Sequence, residues 1–315
     1  MTPADVTKVL LGKVGSFLAF KLFHPPRKKH HRQPSDLGLD ATVLELTAID
    51  GVRVHTWIIE GRAKGNVILG HGIGLTKSAS LAQAKFLNSL GYNVILFDHR
   101  NHGLSGTDTA RSGLAARYSA DIQVCLQLAA QLWPESTVTV VWGFSFSTFP
   151  TVYSLMNSTH CISAVICDSG PGLDLVAVLE GFLTGGGIPA PFPLKTMMRS
   201  RSLGRSFASA AVDMLEAEWP PDPGSAEVQN IPMLYLVGAD DAYISAHQTE
   251  QFAALYAQAR VAVFPAGHLQ ALKTHPDLYV EAVSTFLEDL QRIPVQAKPT
   301  GTPGPRHPAT IQESS

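Results

Sequence analysis

The 315-residue sequence predicts an α/β fold, in which a mainly parallel sheet is flanked by helices and carries a small helical cap insertion. From Ala41 onward, short apolar runs alternate with longer segments of helical periodicity. This alternation is typical of parallel strands joined by crossover helices. Hydrophobic residues make up 45% of the chain and charged residues 16%, so the chain can bury a large core. We therefore expect one main domain over residues 41–292.

The individual elements follow from the apolar runs and the turn residues between them. Asp50-Gly51 suits a tight turn between two antiparallel strands at 41–48 and 52–60. Further strands are predicted at 66–69, 92–97, 138–142, 162–167, 231–237 and 260–264. Helices are predicted at 77–90, 115–132, 246–258 and 276–291. Gly91 can take the left-handed conformation that ends a helix, which places the end of the first of these helices.

Residues 171–228 interrupt the alternation and predict the cap. They contain Gly185-Gly186-Gly187, several prolines and two short helical stretches. Their apolar side chains would either cover an acyl-binding pocket or pack the cap onto the core; they are Leu173, Leu175, Val176, Val178, Leu179, Phe182, Leu183 and Phe192. The tail at 293–315 is rich in Pro, Thr, Gly and Ser and lacks periodicity, so we expect it to be disordered.

Charge and cysteine usage exclude several function classes. The formal net charge of −2 provides no general attraction for nucleic acid, so no DNA or RNA partner is expected. The three cysteines form no CxxC pair, which favours buried free thiols. The twelve histidines are scattered and form no HExxH motif, so we expect no metal site.

Residues 1–40 are predicted to form an amphipathic helix and a basic linker. The apolar residues of the helix recur at helical spacing, but Lys8, Lys13 and Lys21 interrupt every long apolar run, and a spanning helix needs roughly 20 apolar residues. Asp5 and the lack of a small-residue cleavage site argue against a secretory signal, so a cytoplasmic location is expected. The helix and the basic run at 27–32 suit peripheral contact with an anionic membrane. Alternatively, the helix packs on the core and a solvated linker follows.

The sequence Gly143-Phe144-Ser145-Phe146-Ser147 directly follows an apolar strand and precedes a helical segment. A sharp strand-to-helix turn would lift the Ser145 hydroxyl above the sheet, where Gly143 and Ser147 are small enough to avoid neighbouring backbone. The N-terminal end of the helix behind it would favour an oxyanion. Ser145 is therefore a candidate nucleophile, although serine is also a common helix N-cap.

A nucleophilic serine needs a base and an orienting carboxylate. His268 lies on a loop after the last predicted strand, and Asp241 lies just beyond the strand at 231–237. Each has an alternative interpretation, as a loop histidine and as a helix cap. Along the chain the nucleophile Ser145 comes first, then the acid Asp241, then the base His268. This is one of the sequence orders in which Ser-His-Asp triads occur.

At these residues the chain resembles the α/β-hydrolase superfamily over about residues 40–292, and most of all its small esterases, lipases and prolyl-peptidase-like members. The resemblance implies a central parallel sheet, catalytic loops at the carboxyl ends of the strands, and no cofactor. The family's His-Gly after its third strand matches His71-Gly72, which implies an oxyanion hole made by the backbone N–H groups of Ile73 and Phe146. Its D-x-R-x-x-G-x-S loop, usually structural, matches Asp98, Arg100, Gly103 and Ser105.

The chain departs from the commonest family pattern at Ser147, which replaces the last glycine of the elbow. The acid also has two competitors, because Asp240 adjoins Asp241 and some family members use the position that Asp168 holds. The expected activity is a serine hydrolase that cleaves a small-molecule carboxylic ester with a small or medium acyl group. A peptidase or thioesterase of the same fold and a non-catalytic binding protein are the alternatives; the oligomeric state is not predicted.

Overall fold

The computed structural model describes residues 2–188 and 192–292, so the prediction for the tail at 293–315 lies outside the described residues. Within them, eight strands form one sheet in the order β1-β2-β4-β3-β5-β6-β7-β8. The strands are β1 (Thr42–Thr47), β2 (Arg53–Ile59), β3 (Asn66–Leu69), β4 (Asn93–Phe97), β5 (Thr139–Phe144), β6 (Ala164–Asp168), β7 (Met233–Gly238) and β8 (Ala259–Phe264). β2 pairs antiparallel with β1 and β4, and all other neighbours are parallel. The predicted α/β class is confirmed.

Helices cover both faces of this sheet. They are α1 (Pro3–Phe23), α2 (Leu81–Ser89), α3 (Leu114–Leu132), α4 (Thr148–Asn157), α5 (Leu175–Thr184), α6 (Phe192–Met198), α7 (Arg201–Leu215), α8 (Ala226–Gln229), α9 (Ala246–Ala253), α10 (Ala271–Thr274) and α11 (Pro276–Arg292). One apolar core joins the sheet to α2 and α11, and a second core on the other face joins it to α3, α4 and α9. β3, β4 and β5 are covered from both sides, which explains their almost continuous Val and Ile runs.

Three element predictions need correction. The helix predicted at 77–90 begins as a 3-10 turn over residues 77–80. The helix predicted at 246–258 ends at Ala253, because turns after this residue lead the chain directly into β8. In the described part of 171–228 there are four helices instead of two, and α7 alone has 15 residues. Leu203, Phe207 and Ala211 bury one face of α7 at helical spacing, so its apolar stripe was present in the sequence.

The N-terminal helix α1 packs beside the cap, mainly against α7. Leu18, Ala19, Leu22 and Phe23 form its buried side and join a third apolar cluster with residues of α3, α5 and α7. Gly15 permits a close approach, because a Cβ there would lie 2.6 Å from Ser206 Oγ. None of the helices in the described residues is both long enough and apolar enough to cross a membrane.

The basic segment after α1 is fixed to the protein rather than fully solvated. Arg27 Nη1 donates hydrogen bonds to the backbone oxygens of Gly103 at 3.0 Å and Ser105 at 2.5 Å. His30 Nε2 lies 2.8 Å from Asp98 Oδ2, and His31 Nδ1 lies 2.7 Å from Ser78 Oγ. These contacts hold the segment along the loop that follows β4.

Candidate active site

The predicted elbow at Ser145 is a sharp turn between β5 and the helical segment that leads into α4. β5 continues through Gly143 and Phe144, so it carries the serine at its end. Ser145 has φ of 51°, in the left-handed region that is costly for a residue with a Cβ. A Cβ on Gly143 would lie 2.5 Å from the backbone oxygen of Ser147, so the turn requires glycine there. The chain thus holds Ser145 in a strained conformation at the carboxyl end of β5, in the middle of the sheet.

Three side chains from three separate loops meet at the carboxyl ends of the strands. His268 Nε2 lies 2.8 Å from Ser145 Oγ, and His268 Nδ1 lies 2.7 Å from Asp241 Oδ2. Asp241 follows β7 and His268 follows β8, whose carboxyl ends lie on the same side of the sheet as that of β5. The other oxygen of Asp241 accepts the backbone N–H groups of Tyr243 and Ile244, which fixes the carboxylate. The structure therefore brings together all three predicted residues in hydrogen-bond contact.

The two competing carboxylates are placed differently. Asp240 is exposed, and its backbone N–H donates to the Ala266 oxygen. Asp168, at the end of β6, is buried; its oxygens accept the Tyr279 hydroxyl at 2.5 Å and the Ser169 hydroxyl at 2.9 Å. Burial is the main cause that raises the pKa of Asp168 to about 6, against these two hydrogen bonds, which lower it. Of the three candidates, Asp241 is the one in contact with the His268 ring.

Ser169 is a residue near the site that sequence reasoning missed. Its Oγ accepts the backbone N–H of Leu269 at 3.0 Å while its hydroxyl hydrogen is directed to Asp168. Leu269 directly follows His268 and has φ of 57°, another left-handed conformation. No sequence motif signals this contact, since Ser169 and Leu269 are 100 positions apart. Asp168 and Ser169 thus anchor the loop that carries His268.

Two histidines hold the loop that contains Ile73. His71 Nε2 accepts the backbone N–H of His99 at 3.0 Å, so its proton is on Nδ1, which lies 2.9 Å from the Gly72 oxygen. His102 Nε2 accepts the backbone N–H of Gly74 at 3.0 Å. Burial lowers the pKa of His71 well below its ordinary range and that of His102 to about 4, so both are neutral at pH 7.

The held loop lies next to the elbow. A Cβ on Gly72 would lie 3.4 Å from Ser145 Cβ, and Ile73 lines the same pocket as Ser145 and Phe146. Ile73 and Phe146, whose backbone N–H groups were predicted to form an oxyanion hole, therefore both line the pocket at Ser145. The contact of His102 with Gly74 gives this histidine a structural role in the same loop.

The departure from the family pattern at Ser147 is accommodated by Gly70. Ser147 is fully buried, and its Oγ lies 2.9 Å from His99 Nε2. A Cβ on Gly70 would overlap the Ser147 hydroxyl, so the absence of a side chain at 70 makes room for the serine. The Ser147 hydroxyl thus has a hydrogen-bond partner in His99 and enough space beside Gly70.

The loop of Asp98, Arg100, Gly103 and Ser105 is a buried polar network. Asp98 Oδ2 lies 2.6 Å from Lys77 Nζ, and Arg100 pairs with Asp121 at 2.8 Å. Gly103 has φ of 47°, and a Cβ there would overlap the Asp98 carboxylate. Burial outweighs the neighbouring Asp98 and lowers the pKa of Lys77 to about 8. These residues shape the loop and do not reach the Ser145 pocket, in agreement with the structural role implied by the resemblance.

A cavity opens at Ser145, and its lining is almost entirely apolar. Leu175, Val178, Leu179 and Phe182 of α5 form the cap side, as the apolar cap content suggested. The other lining residues include Leu22 and Phe23 of α1, Phe149 of α4 and Leu215 of α7. In the described residues, no group of three or more His, Cys, Asp or Glu side chains is arranged to hold a metal ion.

Solved structures with this arrangement of strands and helices include several esterases. An esterase from Pyrococcus furiosus matches with a TM-score of 0.65 at 21% identity, over 84% of this chain and 98% of that chain. An esterase from Exiguobacterium antarcticum matches with a TM-score of 0.58 at 19% identity, over 78% and 100% of the two chains. An esterase from a Rhodococcus species matches with a TM-score of 0.56 at 18% identity, over 79% and 99%. At such identities the likeness shows the fold.

No curated protein sequence matches the chain significantly. A family model does: residues 67–282 match the model described as alpha/beta hydrolase family. This span includes Ser145, Asp241 and His268, and it covers more than half of the chain. The fold, the elbow and the family model agree, and the chain belongs to the alpha/beta hydrolase family.

Proposed function

We propose that this protein is a serine hydrolase that cleaves carboxylic esters with a small or medium acyl group. The observation that carries the proposal is the contact chain from Ser145 Oγ through His268 to Asp241, at 2.8 Å and 2.7 Å. This contact chain is the arrangement that activates a serine hydroxyl for attack on a carbonyl carbon. The solved esterases of the same fold support the choice of an ester.

In the proposed mechanism, Ser145 Oγ attacks the ester carbonyl carbon while His268 Nε2 takes the hydroxyl proton. Asp241 accepts a hydrogen bond from His268 Nδ1–H and stabilises the imidazolium that forms. The N–H groups of Ile73 and Phe146 donate hydrogen bonds to the oxyanion. The intermediate expels the alkoxide, which receives the proton from His268, and leaves an acyl group on Ser145. Water, deprotonated by His268, then releases the carboxylic acid and restores the serine.

The apolar pocket supports the assignment of the acyl group. Its walls are apolar and come from α1, α4, α5 and α7. Such walls favour a hydrocarbon chain over a charged substituent, because a buried charge needs a partner. We place the carbonyl carbon at Ser145 and the acyl chain along α5.

The proposal is tested by labelling and turnover of four forms of the protein. Wild type should react with a fluorophosphonate probe and hydrolyse p-nitrophenyl butyrate, whereas Ser145→Ala should do neither. Asp241→Asn should lower kcat by about 10⁴, since the amide no longer orients the histidine tautomer. Asp240→Asn is the matched control, because its side chain is exposed and one position away, and it should retain wild-type turnover.

Two outcomes would contradict the proposal. If folded wild type fails to label, the protein binds its ligand without catalysis. If Asp240→Asn is the inactive variant, the acid is misassigned. A panel of thioester and aminoacyl substrates at the same enzyme concentration separates the ester preference from thioesterase and peptidase activity, which use the same three residues.

A further inference from the structure

We propose that the outward face of α1, together with the basic residues that follow it, is a docking surface for an anionic lipid membrane. The orientation of α1 is fixed by its inner side, where Leu18, Leu22 and Phe23 are buried. Gly15 packs tightly against Ser206, so the helix cannot rotate without a steric clash. The residues on the opposite side therefore face away from the protein.

That opposite side is apolar, although an outward helix face is normally polar. Val6, Val9, Leu10 and Phe17 are 48–61% exposed, and the intervals between them bring them onto one side of the helix. α1 is thus apolar on both of its sides, and one side is covered by α7 and its neighbours. The other side is a strip of large apolar side chains that run along the helix axis; we call it the outer strip.

The charges around the outer strip indicate what covers it. Residues 1–33 contain seven lysine and arginine residues and one aspartate, in a chain whose net charge is −2. Lys13 and Lys21 are exposed on α1 itself; helical spacing places Lys13 within the outer strip and Lys21 at its border. The Lys21 ammonium lies 5.7 Å from the centre of the Phe17 ring, so a cation borders the apolar strip directly. An apolar strip with lysines within it and at its border matches a lipid surface, where long lysine side chains reach the anionic headgroups above the acyl chains.

The basic segment adds charges that are held in place. Because Arg27 and His30 are bonded to the loop after β4, residues 27–32 cannot swing freely. Lys28, Lys29 and Arg32 remain exposed beside the end of α1. These ammonium and guanidinium groups are therefore positioned for headgroup phosphates without a large loss of chain entropy on binding.

A second copy of the chain fits the same surface less well. A symmetric dimer through the outer strip would bring two sets of like charges together, which is unfavourable. Nucleic acid would satisfy the cations and leave the apolar strip exposed. An anionic bilayer would contact both the cations and the apolar strip. The contact is peripheral, because the strip occupies only one side of α1.

The test is co-sedimentation of the full chain with vesicles of phosphatidylcholine alone and of phosphatidylcholine mixed with phosphatidylglycerol. Wild type should bind the anionic vesicles strongly, bind the neutral ones weakly, and dissociate as salt rises. Leu10→Glu/Phe17→Glu should weaken binding at least about tenfold, since two large side chains no longer enter the interface. Lys28→Glu/Lys29→Glu should weaken binding to anionic vesicles and leave the weak binding to neutral vesicles unchanged.

The matched control is Ile49→Glu/Leu278→Glu, which replaces two exposed apolar residues elsewhere on the surface and should bind vesicles as wild type does. Thermal unfolding by circular dichroism checks that every variant is folded. Ser145→Ala separates this proposal from the proposed function, because it should lose ester hydrolysis and still bind vesicles.

Several outcomes would overturn the proposal. The proposal is wrong if wild type does not bind anionic vesicles. It is also wrong if a folded Leu10→Glu/Phe17→Glu variant binds them as wild type does. Sedimentation velocity without lipid supplies the third case: a wild-type dimer that the same substitutions dissociate would assign the outer strip to a second copy of the chain.

Discussion

Ser147 Oγ lies 2.9 Å from His99 Nε2, in the space that Gly70 leaves beneath the elbow. This relationship predicts that positions 70 and 147 are coupled. Gly70→Ala would push a methyl group into the Ser147 hydroxyl and should destabilise the fold by about 1–3 kcal/mol. Removal of the hydroxyl in the double variant Gly70→Ala/Ser147→Gly should recover part of this loss. Denaturant unfolding of the two single variants and the double variant measures the coupling free energy, expected to be about 1 kcal/mol or more.

Gly12→Ala provides the control for this cycle. Gly12 lies in α1, and a Cβ there would meet no atom within 4 Å, so the substitution should leave stability unchanged or raise it slightly. Strict additivity of the substitutions at 70 and 147 would show that the two positions do not compete for the same space.

The anchor of the His268 loop gives a second prediction. Ser169→Ala removes the acceptor of the half-buried Leu269 N–H and one of the two hydroxyl donors to Asp168. We expect kcat for an ester to fall by about tenfold with a small change in KM, because the base is misplaced while the pocket is intact. Ser89→Ala, which removes an exposed hydroxyl bonded to a backbone oxygen, should leave both constants unchanged. A rise in KM alone would show that Ser169 serves the pocket instead.

Asp168 predicts a specific pH dependence of stability. Its folded-state pKa of about 6 lies above its ordinary value of 3.8, so the folded protein holds this proton more tightly than the unfolded chain does. The free energy of unfolding should therefore lose a contribution as pH rises from about 4 to about 6, and the loss is complete above pH 6. Asp168→Asn lacks this titration.

The measurement is the difference in unfolding free energy between wild type and Asp168→Asn across this range. Wild type should lose up to about 3 kcal/mol relative to the variant as pH rises from 4 to 6. The same comparison with Asp240→Asn, at an exposed position, should show no such change. A difference that stays constant from pH 4 to pH 7 would contradict the assignment of a buried, proton-holding carboxyl at 168.

The pocket wall supplied by α1 predicts a change in acyl preference. Leu22→Trp adds bulk to the cavity, so turnover of p-nitrophenyl hexanoate should fall relative to p-nitrophenyl acetate by at least about tenfold. Leu132→Trp, which adds the same side chain at an exposed site, should leave the ratio of kcat/KM values unchanged. An unchanged ratio in Leu22→Trp would show that α1 does not limit the space for the acyl chain.

All eight strands could be predicted from the sequence, because their signal is local. Most strands have apolar runs bounded by turn residues. The chain order of Ser145, Asp241 and His268 also placed three polar groups at strand ends that the parallel sheet brings together. The cap was harder to predict, because glycines and prolines around α5 and α6 concealed the apolar stripe of α7. The end of α9 depended on turns that propensity alone does not locate.

Contacts between distant segments could not be predicted from the sequence. His102 binds the N–H of Gly74, and Ser169 binds that of Leu269, through pairings that only the folded chain defines. The position of α1 on the protein also could not be predicted from the sequence. Its apolar spacing predicted a helix, but both of its sides are apolar, so the pattern did not indicate which side would pack on α7 or that Leu22 and Phe23 would enter the pocket.

Leu22 and Phe23 precede the family-matching residues 67–282, whereas the candidate nucleophile, base and acid all lie inside them. One wall of the pocket at Ser145 is therefore encoded outside the stretch of sequence that carries the three candidate catalytic residues. A library randomised at these two positions of α1 would vary chain-length selectivity while the reacting groups stay constant. Substitutions at the end of the N-terminal helix would thus alter one wall of the pocket and leave the elbow and its two partners unchanged.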